Sequence, residues 1–316
     1  MNPIFIILII LGVLILISPA IIIPFVIANK VFKNRLCRIS NEKWGKVCSD
    51  TTNEEQVIMW DYSMKFLKEN EDKHKVLHIV NDNLNLYADY FDFGFDKAVI
   101  MVAGRAESSY YALYYTSPYI KAGYNILSID TRSHGDSEGI YNTVGLKEHQ
   151  DVIKWANLLH DSYNIKEITL HGICIGSATS IYAVTSKNTP DYIKSIVVDG
   201  VYKNFLDTLK RHIKDLGHQP FPVANIVCHK ISKVGGYNLV KFSPENKLKD
   251  VKIPILLLHS KKDIFSVPEN TKIMYETITA KKKLVWFDKG AHSHIRINNQ
   301  EKYDEEIIDF LGEVNG

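Results

Sequence analysis

Glu167-Ile168-Thr169-Leu170-His171-Gly172-Ile173-Cys174-Ile175-Gly176-Ser177-Ala178 reads as an apolar strand that ends in a glycine-flanked turn and runs straight into a helix. Glycines two places before and two places after Cys174 let the backbone reverse sharply there without a side-chain clash. A side chain on such a corner is held out at the start of the following helix, where a nucleophile can be reached from one side. The spacing G-x-C-x-G alone recurs by chance. Set between a strand over Glu167–Leu170 and a helix over Ser177–Thr185, it is specific, although serine is the usual occupant of the corner and Cys174 stands here.

Working outward, short apolar runs alternate with longer amphipathic ones. Lys75–Asn81 and Leu84–Tyr90, split by Asn81-Asp82-Asn83, predict an opening hairpin. Strands follow at Ala98–Val102, Tyr124–Ile129, Ser195–Val198, Ile255–Leu258 and Lys283–Trp286. Helices are predicted over Asn53–Lys68, Ser109–Lys121, Gly145–His160, Glu269–Ile278 and Glu301–Leu311. Alternation of this kind gives an α/β fold, a mostly parallel sheet with helices on both faces. The rhythm breaks once, over about 201–252, where Pro220, Pro222 and Gly235-Gly236 punctuate helical segments. That stretch is too long for an ordinary connection and reads as a helical lid insertion.

Two further residues continue the chain order nucleophile, acid, base. Asp263 lies in the loop after the strand Ile255–Leu258, before Val267-Pro268, and His292 follows the last strand in Trp286-Phe287-Asp288-Lys289-Gly290-Ala291-His292. At the carboxyl ends of a parallel sheet such loops converge on one face. Asp130-Thr131-Arg132-Ser133-His134-Gly135-Asp136-Ser137-Glu138-Gly139 is a second distinctive stretch, and Tyr303 falls eleven residues after His292.

With Gly123-Tyr124-Asn125-Ile126-Leu127, Gly235-Gly236-Tyr237 and Ser243-Pro244, these motifs resemble the α/β-hydrolases over about 55–314. The likeness is to a membrane-anchored bacterial subfamily related to serine aminopeptidases and lysophospholipase-like esterases. The resemblance implies Cys174 as nucleophile, His292 as base and Asp263 as the acid that orients it, with no metal and no cofactor. It also implies an oxyanion hole made by the backbone N–H groups of Arg105 and Ile175. The chain departs from the family pattern at Cys174, at Ala103 where histidine is usual, and at Ser293-His294-Ile295 after the base. A thiol beside histidine at a helix N-terminus loses its proton readily. The expected activity is therefore hydrolysis of carboxylic esters or thioesters, with amides as a further substrate class, through an acyl-enzyme. An inactive hydrolase-fold scaffold and an acyltransferase are the alternatives. The partner implied is a small-molecule or lipid-like acyl substrate.

Composition limits the remaining choices. A net charge of +2 gives no global field that draws nucleic acid, and four cysteines in 316 residues make no disulfide framework. Met1–Asn29 carries no charged side chain, and Ile4–Ile27 is almost wholly apolar. About 24 residues of helix extend about 36 Å, enough to cross a hydrocarbon core of about 30 Å. The expected organisation is a transmembrane anchor over 1–29, a basic juxtamembrane stalk over 30–54 and a hydrolase domain over 55–316. Lys30, Lys33, Arg35, Arg38, Lys43 and Lys46, opposed only by Glu42, favour a cytoplasmic domain.

Plainer roles suit the other candidates. Arg132 and His134 read as turn scaffolding, His171 as a packed strand residue, Asp199 as a structural partner or alternative acid, and His294 as the rival base. Phe205, Leu206, Leu209, Phe221, Val223 and Ile226 are candidates to line an acyl pocket.

Overall fold

A strand covered on both faces is buried along nearly its whole length and mostly apolar, and a strand at a sheet edge is buried only at alternate positions. The computed structural model, which describes Ile6 and residues 22–315, follows that rule across one eight-stranded sheet. The strands are β1 (His74–Asn81), β2 (Leu84–Phe91), β3 (Lys97–Val102), β4 (Asn125–Ile129), β5 (Glu167–Ile173), β6 (Ile193–Asp199), β7 (Ile255–Ser260) and β8 (Lys282–Phe287). Their order is β1-β2-β4-β3-β5-β6-β7-β8. β4 and β7 are buried throughout, whereas on the edge strand β1 only Leu77 and Ile79 are buried. The hairpin joining β1 to β2 turns through Asp82 (φ 49°) and Asn83 (φ 60°), the left-handed pair that matches strand twist. β1, β2 and β4 pair antiparallel, and β4 through β8 pair parallel, so the carboxyl ends of β3, β5, β6, β7 and β8 share one side.

Among the described residues, eight helices have eight residues or more. They are α1 (22–36), α2 (Glu54–Glu69), α3 (Glu148–Tyr163), α4 (Ile175–Val184), α5 (Phe205–Asp215), α6 (Val223–Gly235), α7 (Pro268–Thr277) and α8 (Gln300–Asn315). The helix expected over Ser109–Lys121 is broken into Ser109–Ala112, a 3₁₀ turn at Leu113–Tyr115 and Ser117–Lys121. Pro118 explains the break, since it has no N–H to continue a helix and is tolerated only in a first turn. The helix expected from Gly145 starts at Glu148, because the Glu148 carboxylate accepts the Thr143 and Gly145 N–H groups and caps the turn before it. Between β6 and β7 the chain carries α5, α6 and a short helical turn over Pro244–Lys247.

Residues 30–54 do not form a polar stalk standing away from the domain. α1 continues to residue 36, and its Ala28 and Leu36 are buried in the same core cluster as Leu209, Val223 and Val227. Beyond it the chain straps across the turn 130–139. Trp44 stacks on the His134 ring with centroids 4.6 Å apart and planes 7° from parallel, and the Trp44 carbonyl accepts the Gly135 N–H at 2.7 Å. The Arg38 guanidinium donates to the carbonyls of Gly135 (2.8 Å) and Ser137 (3.1 Å). Lys46 pairs with Asp89 (3.0 Å) and Asp136 (2.8 Å) and approaches Asp130 at 3.5 Å. Its ammonium is held well above the ordinary lysine range, because those carboxylates outweigh the burial that opposes charge. The basic residues of this segment thus serve the domain: Arg38 and Lys46, two of the six cations that favour a cytoplasmic domain, are spent inside it.

The expected span Ile4–Ile27 lies outside the described residues except at Ile6 and 22–27. Among the described residues no helix is long and apolar enough to cross a membrane. Ile22, Ile23, Phe25, Val26 and Ile27 are all exposed, which contrasts with the buried Ala28 that follows them.

Candidate active site

The corner at Cys174 is built by close backbone approaches. β5 runs to Ile173 and α4 starts at Ile175, so Cys174 alone makes the turn, with φ 55° and ψ −112°. A side-chain-bearing residue in that region stores roughly 1–3 kcal/mol of strain, which the surroundings must sustain. They do so in two ways. A Cβ on Gly172 would sit 2.2 Å from the Gly176 carbonyl oxygen, and one on Gly176 would sit 2.0 Å from that of Val102, so only glycine lets strand and helix meet. The Cys174 N–H donates to the Asp199 carbonyl at 2.9 Å, and the Ser177 hydroxyl lies within hydrogen-bond distance of the carbonyls of Gly172 (2.7 Å) and Asp199 (2.8 Å). Ser177 is thereby tied into the turn and buried.

The loops after β7 and β8 bring the other two residues to this corner. The Asp263 carboxylate is fully buried. Its Oδ1 accepts the N–H groups of Phe265 (2.8 Å) and Ser266 (2.7 Å), leaving Oδ2 for His292 Nδ1 at 2.6 Å. That contact puts the proton on Nδ1. His292 faces the Cys174 side chain across the same cavity. Burial works against an imidazolium here, yet the facing Cys174 and Asp263 raise His292 well above the ordinary histidine range.

The rival residues are engaged elsewhere. His294 stands between Glu55 (2.7 Å) and Gln56 (2.9 Å) of α2. Asp199 receives the Tyr303 hydroxyl at 2.9 Å, and burial pushes its carboxyl up to about 7. His171 lies behind them, fully buried and pushed down to about 3 by that burial, so it stays neutral.

Arg105 and Ile175 line the same cavity as Cys174 and His292. Ile175 is the first residue of α4, where backbone N–H groups have no partner within the helix. Around Arg105 the loop is pinned on both sides. The Gly104 N–H donates to Glu107 Oε2 (3.1 Å), and the Ala106 N–H donates to His134 Nε2 (3.3 Å). His134 is an acceptor there because burial, the larger effect, pushes it down to about 4 and keeps it neutral. It is therefore more than turn scaffolding, since it joins the turn 130–139 to the loop that carries Arg105. Arg132 keeps its structural role and grips Asp151 through two hydrogen bonds of 2.7 and 2.6 Å.

A cavity of about 290 Å³ opens beside Cys174. Phe205 and Leu209 line it as expected, but Leu206, Val223 and Ile226 are absent from its wall, and Phe221 is 74% exposed. Sequence reading missed several lining residues. Val31, Arg35 and Leu36 come from α1, and Glu107 comes from the loop after β3. Gln56 reaches Glu107 from α2 at 3.4 Å. All four cysteines are free thiols. Burial raises Cys37 and Cys228, the latter to about 12, so neither is a ready thiolate. Among the described residues no group of three or more His, Cys, Asp or Glu side chains is placed to hold a metal ion.

Residues 97–219 match a family model described as the alpha/beta hydrolase fold. Among curated proteins, the chain is 26% identical over 222 residues to the uncharacterized protein YqkD of Bacillus subtilis, covering 69% of this chain and 72% of that one. It is 30% identical over 133 residues to (E)-2-((N-methylformamido)methylene)succinate hydrolase of Acinetobacter baylyi, over 41% of this chain and 46% of that enzyme. Among solved structures, the Pyrococcus furiosus esterase Pf2001 aligns with a TM-score of 0.65 at 25% identity, over 79% of this chain and 94% of that one.

Proposed function

We propose that this chain, which is similar to α/β-hydrolases in fold and sequence, hydrolyses carboxylic esters and thioesters through Cys174, His292 and Asp263. One observation carries the reading: a strained cysteine at a strand-to-helix corner shares a cavity with a histidine that a buried carboxylate holds at 2.6 Å. The Cys174 thiolate attacks the acyl carbon, and the carbonyl oxygen gains the negative charge. The N–H groups of Arg105 and Ile175 supply two donors for that oxyanion. Collapse breaks the bond to the leaving alcohol or thiol, which takes the proton from His292. Water then attacks the acyl-cysteine with His292 as base, releasing the carboxylic acid and restoring the thiolate. Asp263 keeps the Nδ1 proton in place and stabilises the imidazolium throughout.

The test uses the full chain in non-ionic detergent with p-nitrophenyl esters and acyl thioesters of increasing chain length. Turnover with an optimum at short to medium chains is expected, given the size of the cavity. Turnover absent from the whole series, with Cys174 alkylated no faster than Cys37, Cys48 or Cys228, would sink the hydrolase reading in favour of a scaffold. Product formed only when an amine or thiol acceptor is added would make the protein an acyltransferase.

The apolar run Ile4–Ile27 anchors this enzyme in a membrane, a reading supported by its composition and by the exposed apolar side chains at 22–27. The basic flank at Lys30 and Lys33 favours a domain on the cytoplasmic side. Alkaline carbonate extraction of membranes is expected to leave the full chain in the pellet. Its release into the supernatant would rule out the anchor.

A further inference from the structure

The cavity beside Cys174 has two kinds of wall. Val31 and Leu36 of α1, with Phe205 and Leu209 of α5 and Val227 of α6, make an apolar side. Arg35, Arg105 and His212 bring cationic or cation-forming groups to the same space from α1, the loop after β3 and α5. Three separate elements converge here, so this is no charged run on one helix face. The groups are near enough to oppose one another: burial is the main effect lowering Arg105 and His212, and Arg35 lowers both further.

The two arginines buried in the core each hold a carboxylate. Arg132 holds Asp151, and Arg296 holds Asp304, each through two hydrogen bonds. Among the described residues, neither Arg35 nor Arg105 has a carboxylate within ion-pair distance. Glu107 lines the cavity too, but its oxygens take the Gly104 N–H and the Gln56 amide, and burial disfavours its charge. The half-buried Arg105 has only Cys174 and Glu107 beside it as acidic groups, and the exposed Arg35 stands at the cavity wall without an ion pair, so both guanidinium groups can take an anion that a ligand brings.

We propose that this site takes acyl esters or thioesters bearing an anionic oxygen group, a carboxylate or a phosphate, which Arg35 and Arg105 bind while the apolar wall holds the chain. The inference rests on the hydrolase reading of the same cavity and names its substrate class. The anion comes either from the acyl side, as in a dicarboxylic half-ester, or from the leaving group, as in a phosphorylated thiol.

Two matched pairs separate these sources in the full chain in non-ionic detergent. One pair is p-nitrophenyl hexanoate and the p-nitrophenyl half-ester of adipic acid; the other is S-hexanoyl pantetheine and S-hexanoyl phosphopantetheine. The readout is the ratio of kcat/KM for the charged over the neutral member, in which any general damage to catalysis cancels. In one pair the parent ratio is expected to favour the anion about tenfold or more. It should fall about tenfold in Arg35→Gln and be largely kept in Arg35→Lys. The responding pair identifies the source. Ratios at or below one in both pairs, or ratios unmoved in both Arg35→Gln and Arg105→Gln, overturn the inference and leave the hydrolase reading standing. Should no substrate turn over, calorimetry with octyl phosphate, octanoate and octanol reads the anion site directly. Anions bound more tightly than octanol, with the difference lost in Arg35→Gln, uphold the site although the hydrolase reading has failed. Equal binding of all three removes both.

Discussion

Cys174→Ala is expected to lower kcat/KM for acyl esters by on the order of 10⁴ or more, because residues that act as one nucleophilic unit lose nearly all their effect together. The rest of the site survives the change. The corner is held by backbone contacts, the Cys174 N–H to Asp199 and the glycines at 172 and 176, and none of them uses the thiol. His292 stays anchored by Asp263. A fall in rate without a fall in thermal stability therefore isolates the nucleophile from the fold. Cys174→Ser keeps a potential nucleophile that the same corner commonly carries, and should retain a small part of the activity, roughly 10²–10³ below the parent. Intact-mass measurement of the parent during turnover should reveal one acyl group on Cys174. An alanine variant as active as the parent would place the nucleophile elsewhere. Ser177 is a poor substitute, because its hydroxyl already sits against the carbonyls of Gly172 and Asp199.

The parts of this molecule that were legible in its sequence are those fixed by local constraints. The corner at 174 could be read because two glycines at set spacing have one steric use there, and the order Cys174, Asp263, His292 because each follows an apolar strand. The structure brings those three together at the carboxyl ends of β5, β7 and β8. What stayed hidden depends on distant partners. Residues 30–54 have no periodicity, and their path is set by Trp44 on His134 and by Lys46 among Asp89, Asp130 and Asp136, contacts that no local pattern announces. A boundary drawn where charge begins, at Lys30, cuts through α1 and so conceals that Val31, Arg35 and Leu36 wall the cavity. Glu107 belongs to no motif, and its place follows only from the Gly104 and Gln56 contacts. Lid residues were legible as apolar, yet which of them face the cavity depends on how α5 and α6 rotate against α1. Phe205 and Leu209 do, whereas Phe221 is turned to the outside.

Asp263→Asn is expected to lower kcat by on the order of 10²–10⁴ and to move the alkaline limb of its pH profile downward. The sign follows from His292. Burial alone would push its charged form down, and the facing Cys174 and Asp263 more than reverse this, so His292 stays raised. The imidazolium that protonates the leaving group therefore persists through neutral pH and is lost only as pH rises through the raised value. Removing the Asp263 charge removes one cause of the rise, so the acid form is lost at lower pH. Geometry adds a second effect. Oδ1 at position 263 must keep accepting the Phe265 and Ser266 N–H groups, which directs an asparagine amide NH₂ towards His292 Nδ1. Two donors then face each other unless the imidazole moves its proton to Nε2, the nitrogen that should accept from Cys174 or from water. The profile of kcat against pH for the parent, Asp263→Asn and Asp199→Asn decides the assignment. A limb that moves only in Asp199→Asn would make the buried partner of Tyr303 the acid in place of Asp263. A limb that moves only in Asp263→Asn ties the charge of His292 to the carboxylate it touches.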